Sequence, residues 1–289
     1  MTAERWSTHA VDLGATTVTK RFLPQDGDRH AREWRALTLL AEHAPGLAPT
    51  PLHGGTEDGR PTVVMSRLPG APLRGVRMGA RETAALAWTL TELHTCLPAA
   101  RLAEVPARPG RPAEIAARIR TWQAAGLPRA PDPEVAAALR SGLHWLDGSD
   151  VARPSAGDVP AVFGPGDGNF ANYLWDGARV RVVDFEESGR SDRAFEIAEV
   201  TEHVSAWLGG SLDVPLLLHH LDLAPAEAAR LTECRRLLAL VWLFMLALDT
   251  PDHPRNPPGT AARQARRLLD LLDRPTARTP SASVTGQPR

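Results

Sequence analysis

Residues 163–189 read FGPGDGNFANYLWDGARVRVVDFEESG, and the reading of this stretch decides the fold. Asp167 is followed five residues on by Asn172, and a second acid, Asp184, closes an apolar run. The sequence between Asn172 and Asp184 has the pattern of a hairpin. Tyr173, Leu174 and Trp175 suit one strand, Asp176-Gly177 is a strong turn signal, and Val180, Val182 and Val183 suit the returning strand. Folded so, Asn172 and Asp184 return to the same open end and present two oxygen ligands to one point. Mg²⁺ suits such a pair, because it takes a carboxylate and one more protein oxygen and leaves its other positions to water and phosphate. Asp167, in the loop before the hairpin, then stands beside the ion as a candidate base.

An Asp-x4-Asn spacing followed by a strand that ends in Asp is the layout of a kinase catalytic loop and metal-binding segment. On Gly166-Asp167, Asn172 and Asp184 the chain resembles the aminoglycoside phosphotransferase family, small-molecule kinases related to choline and homoserine kinases. That family's loop reads His-Gly-Asp-x4-Asn, and this chain departs from it with Pro165 in place of the His. The resemblance implies that Asp167 is the catalytic Asp and that Asn172 and Asp184 hold Mg²⁺. It implies ATP or GTP as phosphate donor and a small-molecule hydroxyl as acceptor. It also implies an α+β, bilobal protein kinase-like fold, with a small N-terminal β-sheet lobe carrying one main helix and a larger, mostly helical C-terminal lobe. The expected division is a nucleotide-binding lobe over 1–68, a catalytic and substrate lobe over 69–273, and a tail over 274–289. The tail is rich in Pro, Ser, Thr and Arg, has almost nothing to bury, and is expected to be disordered.

Working outward toward the N-terminus, Ala10 to Phe22 predicts two short strands around Gly14, with Lys20 at the end of the second. The chain has 33 Lys+Arg, and Lys20 is the sole Lys among them. Lys and Arg are not equivalent at a phosphate site, so its position matters. Gly14 is the only glycine of this segment, so any phosphate loop here is abbreviated. From Arg29 the pattern turns helical, with Trp34, Leu37, Leu40 and Ala41 on one face and Pro45-Gly46 ending it. In the kinase pattern a strand Lys reaches the nucleotide phosphates and pairs with a Glu of the next helix. The resemblance gives those roles to Lys20 and Glu33. Residues 48–68 predict a strand, a loop at Gly54-Gly55 and a second strand over 62–65. By resemblance this is the hinge between lobes, with the nucleotide base near Met65, Ser66 and Leu68.

Leu86, Leu90, Leu93 and Leu97 define a helix over 80–97, in which His94 reads as a packed histidine hydrogen-bonded toward the catalytic loop. Residues 98–132 are Pro- and Arg-rich around one helical stretch, 113–125, and 133–146 is a further helix with Pro near its start. Ser191 to Leu208 is predicted as one helix, followed by helices over 212–220, 225–248 and 261–272. Glu196 is placed by the resemblance as a brace for the catalytic loop. Acids crowd this part of the chain at 184, 186, 187, 192, 196, 199 and 202, a field that would attract a cationic acceptor.

Composition excludes several classes. The net charge of −1 and pI of about 6.8 give no electrostatic case for nucleic acid or an anionic membrane as partner. The longest apolar segment, 237–248, is too short for a membrane span. Two cysteines, Cys96 and Cys234, suggest no disulfide framework, which fits a reducing cytoplasm. A non-catalytic, kinase-like nucleotide-binding module is the alternative reading, which Pro165 and the sparse glycine loop favour. A helical interaction protein carrying a chance motif is a further rival, and it predicts no nucleotide binding.

Overall fold

The structure, a computed structural model, describes residues 9–126, 132–154, 158–209, 212–248 and 256–274. The predicted disorder of 274–289 falls, beyond Arg274, outside the described residues. β1 (Ala10–Leu13) and β2 (Thr17–Arg21) form an antiparallel pair around Gly14. Strand alternation puts Val18, Lys20 and Phe22 on one face, where Lys20 and Phe22 are buried. The chain then enters α1 (Gly27–His43). Its buried side is Glu33, Ala36, Leu37 and Leu40, the one-face spacing of a helix. Ala41, expected on that side, is exposed.

β3 (Pro51–Glu57) and β4 (Arg60–Ser66) complete a four-stranded antiparallel sheet of order β1-β2-β4-β3. Gly54 and Gly55 lie within β3, and the turn falls instead at Asp58-Gly59. The physical reason is packing: a Cβ on Gly54 would sit 2.6 Å from the indole of Trp34. Glycine here permits the helix to approach the sheet, so it is not a loop signal. α1 covers the face that carries Lys20, Phe22, Val63 and Met65.

The larger part is mostly helical. β5 (Ala71–Pro72) leads into α2 (Ala80–Thr95), a short α3 (Ala99–Glu104) that the Pro-rich composition hid, α4 (Pro112–Ala124) and α5 (Pro133–Gly148). Then β6 (Ala161–Gly164) precedes the hairpin of β7 (Tyr173–Trp175) and β8 (Val180–Val182). The hairpin register is Tyr173↔Val182, Leu174↔Arg181 and Trp175↔Val180. Asp176 begins a four-residue connection and accepts the N–H groups of Ala178 and Arg179 at 2.8 and 2.9 Å. β5 pairs with β7 to make a three-stranded sheet.

β9 (Gly189–Asp192) pairs with β6, so the ends of the stretch 163–189 are clamped together. The helix expected over 191–208 is therefore shorter, and it is broken into α6 (Arg193–Glu202) and α7 (Val204–Trp207). Asp192 sets the first start by accepting the Phe195 N–H at 2.7 Å. His203 sets the second, its ring accepting the Ser205 N–H at 3.1 Å. α8 (Val214–Leu221), α9 (Pro225–Ala247) and α10 (Thr260–Asp273) follow. α9 is apolar around most of its circumference, since it packs on α4, α5, α6 and α10. No helix of the described residues is long and apolar enough to cross a membrane.

Candidate active site

Three separated segments meet at Lys20. β2 delivers its ammonium to the buried face of the sheet, where Nζ lies 3.2 Å from Glu33 Oε2 of α1. The segment after β8 adds Asp184 Oδ1 at 2.5 Å and Glu186 Oε2 at 2.7 Å. Burial opposes the charge of Lys20, but Glu33, Asp184 and Glu186 together outweigh it and hold its pKa above the usual lysine value. Glu33 is fully buried and also accepts the Phe185 N–H at 2.8 Å, which ties α1 to the Asp184 segment. Burial raises the Glu33 carboxyl to about 7; Lys20 opposes the rise, and Asp184 and Glu186 add to it. Asp184 has φ of 68°, a left-handed backbone that Asp adopts more readily than most residues.

Asp167 stands in the loop between β6 and β7. Its Oδ1 accepts the Asn169 N–H at 2.9 Å, and its Oδ2 accepts the Asn172 Nδ2 at 3.0 Å. Asn172 is fastened to the far end of the hairpin, its carbonyl accepting the Val183 N–H at 2.9 Å. The hairpin thus brings Asn172 and the residue before Asp184 to one end, as its pattern predicts. Burial raises the Asp167 pKa to about 6, with the Asn169 N–H opposing it and the Asp184 charge adding to it. Gly166 has φ of 81°, and a Cβ there would lie 2.1 Å from the Glu187 carbonyl, so the turn into Asp167 admits only glycine.

Two supports of this loop were not legible in the sequence. Arg108, buried, donates to Glu196, to Glu199 and to the Gly166 carbonyl, at 2.9, 2.9 and 2.8 Å. Glu196 therefore braces the loop as the resemblance implies, directly by accepting the Gly166 N–H at 3.4 Å and also through Arg108. Burial raises Glu199 to about 7, with Arg108 opposing and Glu196 and Asp167 adding. The second support is His203, whose Nε2 lies 3.8 Å from Asp167 Oδ1. Its Nδ1 accepts the Ser205 N–H, which places the ring proton on Nε2, facing Asp167. Burial, reinforced by Arg74, lowers its pKa to about 3, so the ring is neutral. Glu186 is a third addition, marked in the sequence only as one acid among many. His94 is buried as expected, but its ring makes no hydrogen bond to a described residue.

The hinge segment is partly spoken for. Ser66 N–H donates to the Thr50 carbonyl at 2.9 Å and Arg67 N–H to the Thr16 carbonyl at 2.8 Å. Met65 is buried, and the half-buried Leu68 keeps an N–H with no partner among the described residues.

The chain that brings together a strand Lys, a helix Glu, an Asp-x4-Asn loop and a following Asp also matches a known sequence profile. The profile of the "Phosphotransferase enzyme family" covers residues 3–231. The chain belongs to this phosphotransferase family. Its fold is shared with solved small-molecule kinases. The choline/ethanolamine kinase family protein of Mesorhizobium loti is 19% identical, with TM-score 0.60 over 92% of this chain and 85% of that one. The GDP complex of wild-type aminoglycoside 2'-phosphotransferase-IIIa is 16% identical, with TM-score 0.63 over 94% and 89%. Spectinomycin phosphotransferase, in complex with ADP and spectinomycin, is 9% identical, with TM-score 0.59 over 95% and 88%. At these identities the likeness is one of fold, the bilobal protein kinase-like fold. No curated protein sequence matches the chain.

Proposed function

We propose that this phosphotransferase moves the γ-phosphate of ATP or GTP to a hydroxyl of a small molecule. The observation that carries the reading is the meeting of Lys20, Glu33 and Asp184, from three distant segments, beside the Asp167 loop. In this reading 1–68 binds the nucleotide and 69–273 carries the catalytic loop and acceptor. Lys20 pairs with phosphate oxygens and is held in place by Glu33. Met65 and Leu68 flank the base, and the Leu68 N–H is available to it. Asp167 orients the acceptor hydroxyl and takes its proton as that oxygen bonds the γ-phosphorus and the bond to the β-phosphate oxygen breaks. Asn169 and Asn172 hold the Asp167 carboxylate in register.

The residues fit Mg²⁺. Glu33, Asp184 and Glu186 present carboxylate oxygens within 4.8 Å of one another, more negative charge than Lys20 alone balances. Asp184 is the most accessible of the three. Asn172 spends its Nδ2 on Asp167, leaving Oδ1 as a hard ligand. Asp184 and Asn172 would therefore hold the ion, which when bound offsets phosphate charge. The free thiols of Cys96 and Cys234 are consistent with a cytoplasmic location.

Five of the seven acids that favoured a cationic acceptor are committed to arginines within the chain. Glu187 pairs with Arg29, Asp192 with Arg230, Glu196 and Glu199 with Arg108, and Glu202 with Arg235 and Arg267. The other two, Asp184 and Glu186, face Lys20 and the proposed metal, so little negative field is left over for the acceptor. The test of the reading is acceptor-dependent conversion of ATP or GTP to its diphosphate, beside Asp167→Asn. Turnover lowered by roughly 10²–10⁴ in the variant is expected. Nucleotide binding with no turnover by any acceptor class would favour the non-catalytic module.

A further inference from the structure

A cavity of about 440 Å³ opens beside the Asp167 loop, a size suited to a small-molecule ligand. Arg108 and Glu199, which line it, are the residues that hold the loop from below. Trp242, on its opposite side, packs edge-on against His203 at 4.7 Å, and His203 in turn faces Asp167. The lining therefore reaches the Asp167 loop through two residues, Arg108 on the Gly166 carbonyl and Trp242 on His203, and Arg29 and Arg32 of α1 line it as well.

The lining has two unlike halves. One is apolar and comes from α9: Leu238, Val241, Trp242 and the exposed Met245. The other holds four guanidinium groups, of Arg29, Arg32, Arg108 and Arg118, against two carboxylates, Glu187 and Glu199. Arg108 is saturated by Glu196 and Glu199. Arg29 pairs with Glu187 at 2.8 Å and with Glu186 at 3.8 Å, and Arg32 lies 3.9 Å from Glu187 and donates to the Glu186 carbonyl at 2.7 Å. Arg118 is exposed and has no acidic partner among the described residues. Arg118 is thus the guanidinium of the lining left without a carboxylate, and guanidinium groups match carboxylate and phosphate geometry.

We propose that this cavity is the acceptor site and that it takes an acceptor with an apolar body and an anionic group, the anion lying on Arg118. The proposal rests on the phosphotransfer reading above and deepens it. The hydroxyl to be phosphorylated then points at Asp167, and the apolar body lies on Trp242. An acceptor of this charge differs from the one the acid-rich sequence led us to expect.

The test uses three probes that share an aromatic body and a primary hydroxyl and differ at one end: para-(hydroxymethyl)benzoate, its carboxamide, and para-(hydroxymethyl)benzylamine. Binding to the full-length protein in the presence of Mg²⁺ and non-hydrolysable ATP or GTP is followed by calorimetry at low and high salt. The expected result is that the benzoate binds about tenfold or more tightly than the amide and the amine. That preference falls by about tenfold in Arg118→Gln and weakens with salt. Equal affinities, stronger binding of the amine, no binding by any probe, or a benzoate preference that survives Arg118→Gln would overturn the proposal. The Mg²⁺-dependent thermal shift with nucleotide, read on the same samples, reports the donor site independently. Its loss would count against the phosphotransfer reading, and its presence confines a failure to the acceptor proposal.

Discussion

Arg108 and Glu196, 88 residues apart, are joined at 2.9 Å with both side chains almost wholly buried. The same guanidinium donates to the Gly166 carbonyl, so one buried ion pair sets the height of the loop that carries Asp167. Pro165 stands in that loop where the family usually has His, and a proline ring offers no hydrogen bond from its side chain. The loop is held instead from below, by Arg108. Removing one partner of a buried pair leaves the other charge uncompensated. Arg108→Met is expected to destabilise the fold by roughly 3–5 kcal/mol, and adding Glu196→Gln should recover part of the loss. Denaturant unfolding of the three proteins measures this; a single variant as stable as wild type would remove Arg108 from the account.

Asp167→Asn keeps the size and most hydrogen bonds of the side chain but cannot take a proton. It should lower kcat by roughly 10²–10⁴ while leaving the nucleotide thermal shift in place. In the wild type the base works only when ionised, and its carboxyl is raised to about 6. Activity should therefore fall as pH drops through about 6, with the slope of one proton. A pH–rate profile flat to pH 5 would exclude Asp167 as the titrating base.

His203 is a positioning residue in this account, with its Nε2–H turned toward Asp167. His203→Phe removes the donor, and should lower kcat roughly tenfold and move the acid limb to higher pH. His203→Gln, which retains an N–H at a comparable reach, should restore part of both. An unchanged limb in His203→Phe would reduce the residue to a helix start.

Stability at mild acid should depend on His94. Burial, reinforced by Arg193 and partly offset by Glu196, lowers its pKa to about 4. The folded state thus prefers the neutral ring, and the unfolded chain binds the proton first, near 6.5. The contribution is complete above the unfolded value and is lost as pH falls from there toward 4, at about 1.4 kcal/mol per pH unit. His94→Gln should flatten the pH dependence of unfolding over that interval, and an unaltered slope would show that the ring is already solvated.

Local signals made much of this molecule legible. The hairpin, the strand that carries Lys20, the helix that carries Glu33 and the Asp-x4-Asn spacing are each specified within a few residues, while the roles of Lys20 and Glu33 came from the family resemblance. What escaped depends on contacts distant in sequence. Gly54 looks like a loop residue until Trp34 is placed on it. β9 is a strand because β6 lies beside it, and its own sequence, Gly-Arg-Ser-Asp, carries no strand pattern. Arg108 lies in a Pro- and Arg-rich segment and meets Gly166 at a separation of 58 residues. His203 interrupts what periodicity reads as one helix, because its ring caps the next.

The central claim is a nucleotide site built on Lys20 and Asp184. It is tested most directly by the thermal shift of the purified protein with Mg²⁺ and ATP or GTP, set beside Lys20→Ala and Asp184→Ala. The account predicts a metal-dependent rise with at least one nucleotide that disappears in both variants. No shift with either nucleotide, or a shift that survives both substitutions, would contradict it.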